Sequence, residues 1–212
     1  MYTIHHLASH NGSVLKYIQF DREIIPAETL TALTETELVR YHTFGTAKRK
    51  AEFLYTRILW QSFNPETKIS YDTKGRPYLE TGGFISISHS RNIVAIAYHP
   101  SHEVGIDAEF KSEKLVRIIT KFLSLSELQQ ISTLDLTRVT LAWSIKEAVY
   151  KMENTEGLSL KDNIRLSIQN HEVHADVIKG SEVHHYTFRY HDLGEFIISW
   201  CSHEDMNGKT VF

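Results

Sequence analysis

Between Leu141 and Met152 the apolar residues return in helical period, and this recurrence limits the possible folds more than any other stretch. At about 100° per residue, Leu141, Ala142, Ile145, Ala148, Val149 and Met152 fall on one side, as a helix seated on a core requires. Trp143, Lys146, Glu147, Tyr150 and Lys151 fall on the other. Two aromatic rings, two ammonium groups and a carboxylate thus stand at spacings where helical neighbours meet. A solvated ion pair beside two incidental aromatics would account for this face, and so would a binding site.

The upstream stretch Val104–Glu109, V-G-I-D-A-E, reads as a strand. Asp107 and Glu109 are two apart, so both carboxylates leave one face. Like charges side by side are unfavourable unless something neutralises them. A hard divalent cation, Mg²⁺, would do so, with Glu147 as the third carboxylate. A solvated strand end is the other reading. Phe84–Ser88 alternates apolar and small polar residues, His89–Asn92 turns, and Ile93–Tyr98 returns. Ser88, His89 and Ser90 then stand at a strand end, either as an ordinary turn or as ligand contacts.

The remaining segments fill in around these. Tyr2–His6 and Val14–Phe20 read as a hairpin turned at Asn11-Gly12. Pro26 starts a helical stretch. Thr34 with Glu37 has capping-box spacing, and Gly45 is expected to close that helix. A longer helix spans Thr46–Phe63, with Lys48, Arg49 and Lys50 early and Arg57 two turns on. These cations form either a solvated face or an anion site that Arg40 joins. Asn64-Pro65 ends the helix, Ile69–Tyr71 is a short strand, and Lys74-Gly75-Arg76-Pro77 is a turn. Leu115–Phe122 and Ser126–Ile131 read as helices, Ser124 and Glu127 again having capping-box spacing. Ile164–Ile168, Glu172–Val177, His184–Tyr190 and Phe196–Cys201 read as strands.

One echo organises the whole. F-I-S-I-S with I-V-A-I-A-Y resembles H-Y-T-F-R-Y with F-I-I-S-W-C, and each half places its longest helix before such a hairpin. The expected fold is α+β, with halves 1–100 and 101–212 packed face to face about a joint near Pro100–Glu103. A hydrophobic share of 42% and a charged share of 23% over 212 residues allow a real core. The formal charge of −3 argues against a general nucleic-acid binder. Cys201 is the single cysteine, which suits a reducing compartment. No apolar run approaches the roughly 18–20 residues that span a membrane, and the N-terminus lacks a signal-peptide pattern. A cytoplasmic monomer is expected. The 13 histidines are scattered. The pairs His5-His6 and His184-His185 would point to opposite faces, and His171 with His174 lacks a zinc pattern around it.

Taken together, V-G-I-D-A-E and W-S-I-K-E-A-V-Y-K resemble the 4′-phosphopantetheinyl transferases of the surfactin-synthetase-activating type. That family carries a G-[IV]-D-x-E strand and a W-[ST]-x-K-E-[AS]-x-x-K helix. Further resemblances are G-R-P-Y-L at Gly75–Leu79, S-I-S-H-S at Ser86–Ser90, F-L-S-L-S-E at Phe122–Glu127 and G-L-S-L at Gly157–Leu160. The resemblance implies two α+β halves about a pseudo-two-fold, with the site between them. It implies transfer of the phosphopantetheine arm of coenzyme A to a serine of an apo acyl or peptidyl carrier protein, with release of adenosine 3′,5′-bisphosphate. It further implies Mg²⁺ on Asp107, Glu109 and Glu147, and catalytic roles for Glu147, Lys151 and Lys146, with Glu127 as the alternative base. Arg76, Ser88, His89 and Lys151 would hold coenzyme A. Many members carry arginine where this chain has Glu52, so the 3′-phosphate contact is expected to shift to Arg49, Lys50 or Arg40. A Mg²⁺-dependent hydrolase or nucleotidyl transferase on a similar diphosphate, or a coenzyme A binding module without catalysis, are the alternatives.

Overall fold

Two antiparallel sheets and two long helices organise the chain, and the computed structural model describes residues 2–10, 12–20, 25, 27–63, 67–169 and 172–211. Asn11, Pro26, Asn64, Pro65 and His171, each part of an expectation above, lie outside the described residues. The first half opens with a hairpin of β1 (Tyr2–His10) and β2 (Ser13–Phe20). A 3₁₀ turn at Ala27–Ala32 leads into α1 (Glu35–Thr43). Its capping box forms as expected: the Thr34 hydroxyl accepts the Glu37 N–H, and the Glu37 carboxylate accepts the Thr34 N–H. Gly45 does not close α1. The Phe44 N–H bonds the Tyr41 carbonyl and the Thr43 hydroxyl bonds that of Arg40, so no left-handed residue is needed. Then come α2 (Ala47–Gln61), a small hairpin of β3 (Ile69–Tyr71) and β4 (Pro77–Leu79), and the strands β5 (Phe84–Ser90) and β6 (Ile93–His99).

The second half starts with β7 (Val104–Phe110). Three short helices follow, α3 (Glu113–Arg117), α4 (Ile119–Phe122) and α5 (Leu125–Gln130). The helix expected over Leu115–Phe122 is divided at Ile118, whose φ is −110° and ψ 9°. Next comes α6 (Leu136–Glu153), closed by Asn154 in the left-handed region at φ 43°. The last strands are β8 (Ile164–Gln169), β9 (Glu172–Lys179), β10 (Glu182–Asp192), β11 (Phe196–Ser202) and β12 (Met206–Val211). β12 was not foreseen. M-N-G-K-T-V has no apolar alternation because both its faces are largely exposed, and pairing with β10 holds it.

The first sheet runs β1-β2-β6-β5 and the second β7-β11-β10-β9-β8, with β12 beside β10. Packing explains why β6 is apolar throughout. Val94 and Ile96 meet Leu54, Ile58 and Leu59 of α2. Ile93, Ala95 and Ala97 face the other way, onto Ile106, Ala108, Ile198 and Trp200 of the second sheet. A strand buried on both sides needs no polar face. The layers therefore run helix, sheet, sheet, helix, and the fold is mixed α+β. Against the second sheet, α6 presses unusually close: a Cβ on Gly105 would lie 2.0 Å from the Ala148 carbonyl oxygen.

β5 and β7 lie beside each other where the two sheets meet. Among the described residues no backbone ladder joins them. Ser86 Oγ accepts the Ile106 N–H at 3.1 Å and Ser90 Oγ accepts the Phe110 N–H at 3.1 Å. Both links span 20 residues, so the strands run parallel, and serine hydroxyls stand where carbonyls would otherwise be.

Candidate active site

Alternation along β7 sends Ile106 and Ala108 into the joint between the sheets and turns Asp107 and Glu109 to the opposite face. Asp107 Oδ1 accepts the Ser88 hydroxyl at 2.8 Å and the Lys151 ammonium at 2.8 Å. Lys151 also donates to the Ile106 carbonyl at 3.2 Å. Asp107 is 4% exposed, yet its Oδ2 has no hydrogen-bond partner, which is costly for a carboxylate oxygen. Glu109 Oε1 accepts the Ser90 hydroxyl and the Phe110 N–H, each at 2.9 Å.

Glu147 completes the group from α6. Burial pushes its pKa up to about 7, the Asp107 and Glu109 carboxylates add to the effect, and Lys151 opposes it. Glu109 is raised too, by burial and then by Asp107. Three carboxylates thus share one ammonium in a half-dry setting. An unpartnered Oδ2 and two carboxyls that resist ionising mark a cluster short of positive charge. Oxygen donors of this kind suit a hard divalent ion.

Among the described residues, the three donors that already lie within 4.8 Å of one another are a different group, His99, His102 and Glu204. His99 Nδ1 accepts the N–H groups of Ser101 at 3.1 Å and His102 at 2.9 Å. Its ring proton therefore sits on Nε2, the atom 3.3 Å from Glu204 Oε2. A nitrogen that carries a proton is a donor and not a ligand. The cluster reads as a hydrogen-bonded clasp between the end of β6 and the turn after β11.

Lys146 stands apart from the carboxylate cluster, which corrects its placement on the outward face of the helix. It is fully buried. Its ammonium reaches Glu127 Oε1 at 2.8 Å and the carbonyls of Leu160 and Ile164 at 2.9 and 2.6 Å. Burial pulls its pKa down and Glu127 opposes this. Glu127, the alternative base, is itself occupied. It caps α5 through Ser124 and accepts the Leu166 N–H at 2.9 Å. α5 and β8 cover this flank of α6, a contact that the helical period alone does not reveal.

The cations of the first half divide. Arg49 lies 3.2 Å from Glu52 and 3.3 Å from His89 Nε2, and His89 Nδ1 lies 3.4 Å from Glu52. Burial lowers the His89 pKa, against the pull of Glu52. Arg49, His89, Tyr71, Gly75 and Pro77 line a cavity of about 140 Å³. Arg76 faces a neighbouring cavity of about 270 Å³ and pairs with Glu103. Arg40 lies over the rings of Phe53 and Tyr71, and Lys50 over Tyr41. Neither lines either cavity. Arg57 is buried in an ion pair with Glu37 at 2.8 Å. The sequence reads Ser90 as part of a turn or as a ligand contact and does not foresee its bond to a carboxylate. Ser90 holds Glu109, and the every-second-residue serines of β5 were its only signal.

A carboxylate cluster short of charge, an ammonium against it and cation-lined cavities nearby suit a phosphate-bearing substrate. Residues 103–201 match the family model described as the 4′-phosphopantetheinyl transferase superfamily. The match supports that superfamily and singles out no branch within it. The matched segment carries Asp107, Glu109, Glu147 and Lys151, whereas Arg49, Arg76, Ser88 and His89 lie outside it. No curated protein matches the chain. No helix among the described residues is long and apolar enough to cross a membrane.

Proposed function

We propose that this chain transfers the 4′-phosphopantetheine arm of coenzyme A to a serine of an apo acyl or peptidyl carrier protein, with adenosine 3′,5′-bisphosphate as the other product, in the manner of the surfactin-synthetase-activating branch. The observation that carries the reading is the Asp107–Glu109–Glu147 cluster with Lys151 against it, inside the segment that matches the superfamily. The halves 1–100 and 101–212 act as one unit, the first supplying nucleotide contacts and the second the reacting groups.

In the transfer, the serine oxygen bonds to the phosphorus that bears pantetheine. The bond from that phosphorus to the bridging oxygen breaks, and the bisphosphate leaves with its electron pair. Glu147 takes the serine proton, directly or through a water. Lys151 stabilises the charge that grows on the leaving group. Asp107, Glu109 and Glu147 would hold Mg²⁺, which when bound neutralises pyrophosphate charge. Arg49 and His89 receive the 3′-phosphate, while Arg76 and Ser88 steady the nucleotide. Lys146 serves by holding α6 in place.

The test incubates the protein with coenzyme A, Mg²⁺ and a panel of apo carrier proteins, then weighs the carriers. One phosphopantetheine per reactive serine, with bisphosphate in equal amount, is expected. Bisphosphate released equally fast without any carrier would replace this reading with a hydrolase.

A further inference from the structure

β5 presents a hydroxyl at every second residue, Ser86, Ser88 and Ser90, and all three reach β7. They do not hold the same things. Ser86 accepts the backbone N–H of Ile106. Ser88 donates to Asp107. Ser90 does both kinds of work: it accepts the Phe110 N–H at 3.1 Å and donates its proton to Glu109 Oε1 at 2.9 Å. We infer that Ser90 is a positioning residue that orients Glu109 toward a divalent cation, so that the first half of the chain shapes a metal site whose ligands all belong to the second. The inference rests on the metal-assisted transfer proposed above.

The argument is one of donors and freedom. A serine hydroxyl has a single proton, and here it goes to Oε1, which also accepts the Phe110 N–H. These bonds commit Oε1 to the protein and leave Oε2 for an ion. A glutamate has several rotatable bonds, and fixing them costs side-chain entropy whenever an ion must do it alone. With Ser90 in place much of that ordering precedes the ion. Partners of this kind behind a ligand typically change metal affinity by roughly 10–100-fold. Ser90 is outside residues 103–201, so the matched segment by itself lacks this support.

Ser86 provides the control, since its hydroxyl holds β7 backbone and no carboxylate. The experiment measures Mn²⁺ binding to the full chain by electron paramagnetic resonance, with coenzyme A present, for wild type, Ser90→Ala, Ser90→Thr and Ser86→Ala. Apo melting curves and the Mn²⁺ dependence of transfer are recorded beside it. Ser90→Ala should weaken Mn²⁺ binding roughly 10-fold or more, and the Mn²⁺ needed for half-maximal transfer should rise by the same factor. Transfer should recover at saturating Mn²⁺. Ser90→Thr should restore the affinity. Ser86→Ala should lose a similar amount of apo stability and keep Mn²⁺ affinity within about twofold. Equal weakening by Ser90→Ala and Ser86→Ala would overturn the inference, because only the contact between the strands would then matter. Wild type that transfers without binding Mn²⁺ would overturn it too, while sparing the transfer. Wild type that binds Mn²⁺ with the expected Ser90 effect but modifies no carrier would keep the inference and remove the transferase reading.

Discussion

Lys146 and Lys151 stand five residues apart on one helix and each meets a carboxylate at 2.8 Å, yet the two pairs differ in kind. The Lys146–Glu127 pair is closed. The ammonium has three acceptors, Glu127 accepts a backbone N–H and a helix cap, and both side chains are buried. The Lys151–Asp107 pair is open. Asp107 keeps an unpartnered oxygen, Lys151 remains 27% exposed, and Glu147 beside them titrates near neutrality. A saturated network spends its charge on specifying structure. An unsaturated one keeps charge available for a ligand.

The largest effect should come from the open pair. Asp107→Asn keeps the shape and the Ser88 contact but removes a ligand charge. Transfer to a carrier serine should fall on the order of 10³-fold or more. Asn is the better probe than Ala here, because Asp107 proves to be buried and doubly bonded through Oδ1, so its removal would also disturb packing. Retention of more than about a tenth of the rate would place the chemistry elsewhere.

The closed pair should answer on stability. Lys146→Ala leaves Glu127 buried without its cation, at a cost of about 3–5 kcal/mol. Lys151→Ala should cost less, because the ammonium removed is 27% exposed and water can reach the place it leaves beside Asp107, and it should lose transfer. Urea melts of both variants read the difference directly. Similar destabilisation by the two would erase the distinction drawn between the pairs.

Much of this contrast was hidden in the sequence, and the reasons are physical. The apolar stripe of α6 and the two-residue spacing of Asp107 and Glu109 were legible, because each is a matter of local period. Both capping boxes, Thr34–Glu37 and Ser124–Glu127, formed as their spacing suggests. Lys146 was misplaced because its burial depends on α5 and β8 folding over one flank of α6, a contact between distant segments. β12 went unseen because an exposed strand held by pairing has no pattern to show. The serines of β5 alternate visibly, but that they reach across to β7 is a fact of tertiary structure alone.

A smaller effect concerns the first-half cavity, where Arg49 is shared between Glu52 and His89. Arg49→Gln should weaken coenzyme A binding about 10-fold, the worth of one hydrogen bond to a charged group. Dephospho-coenzyme A should bind almost as before. Calorimetric titration of both ligands separates the outcomes. Equal weakening of the two would mean that Arg49 attracts anions in general, or only supports Glu52.

The smallest effect tests the open cluster without any ligand. Folding raises the Glu147 pKa from the ordinary 4.5 to about 7. The folded state therefore holds a proton that the unfolded chain releases between those values. Stability falls with rising pH wherever the folded state binds more protons. The apo protein should lose stability as pH climbs from about 4.5 to about 7 and lose nothing further from this group above that. Glu147→Gln mimics the protonated carboxyl and should abolish that loss. Water still reaches part of the site, which screens the repulsion, so the gain at about pH 8 should be on the order of 1 kcal/mol. Near pH 4.5 the two proteins should melt together. With Mg²⁺ and coenzyme A added the order should reverse, because bound ligands stabilise wild type by mass action and the variant has lost a ligand charge. A gain independent of pH would show that the substituted amide merely packs better than the carboxyl of Glu147. The same pH-independence would leave Asp107, Glu109 and Glu147 as ordinary side chains, and Lys151 no different in kind from Lys146.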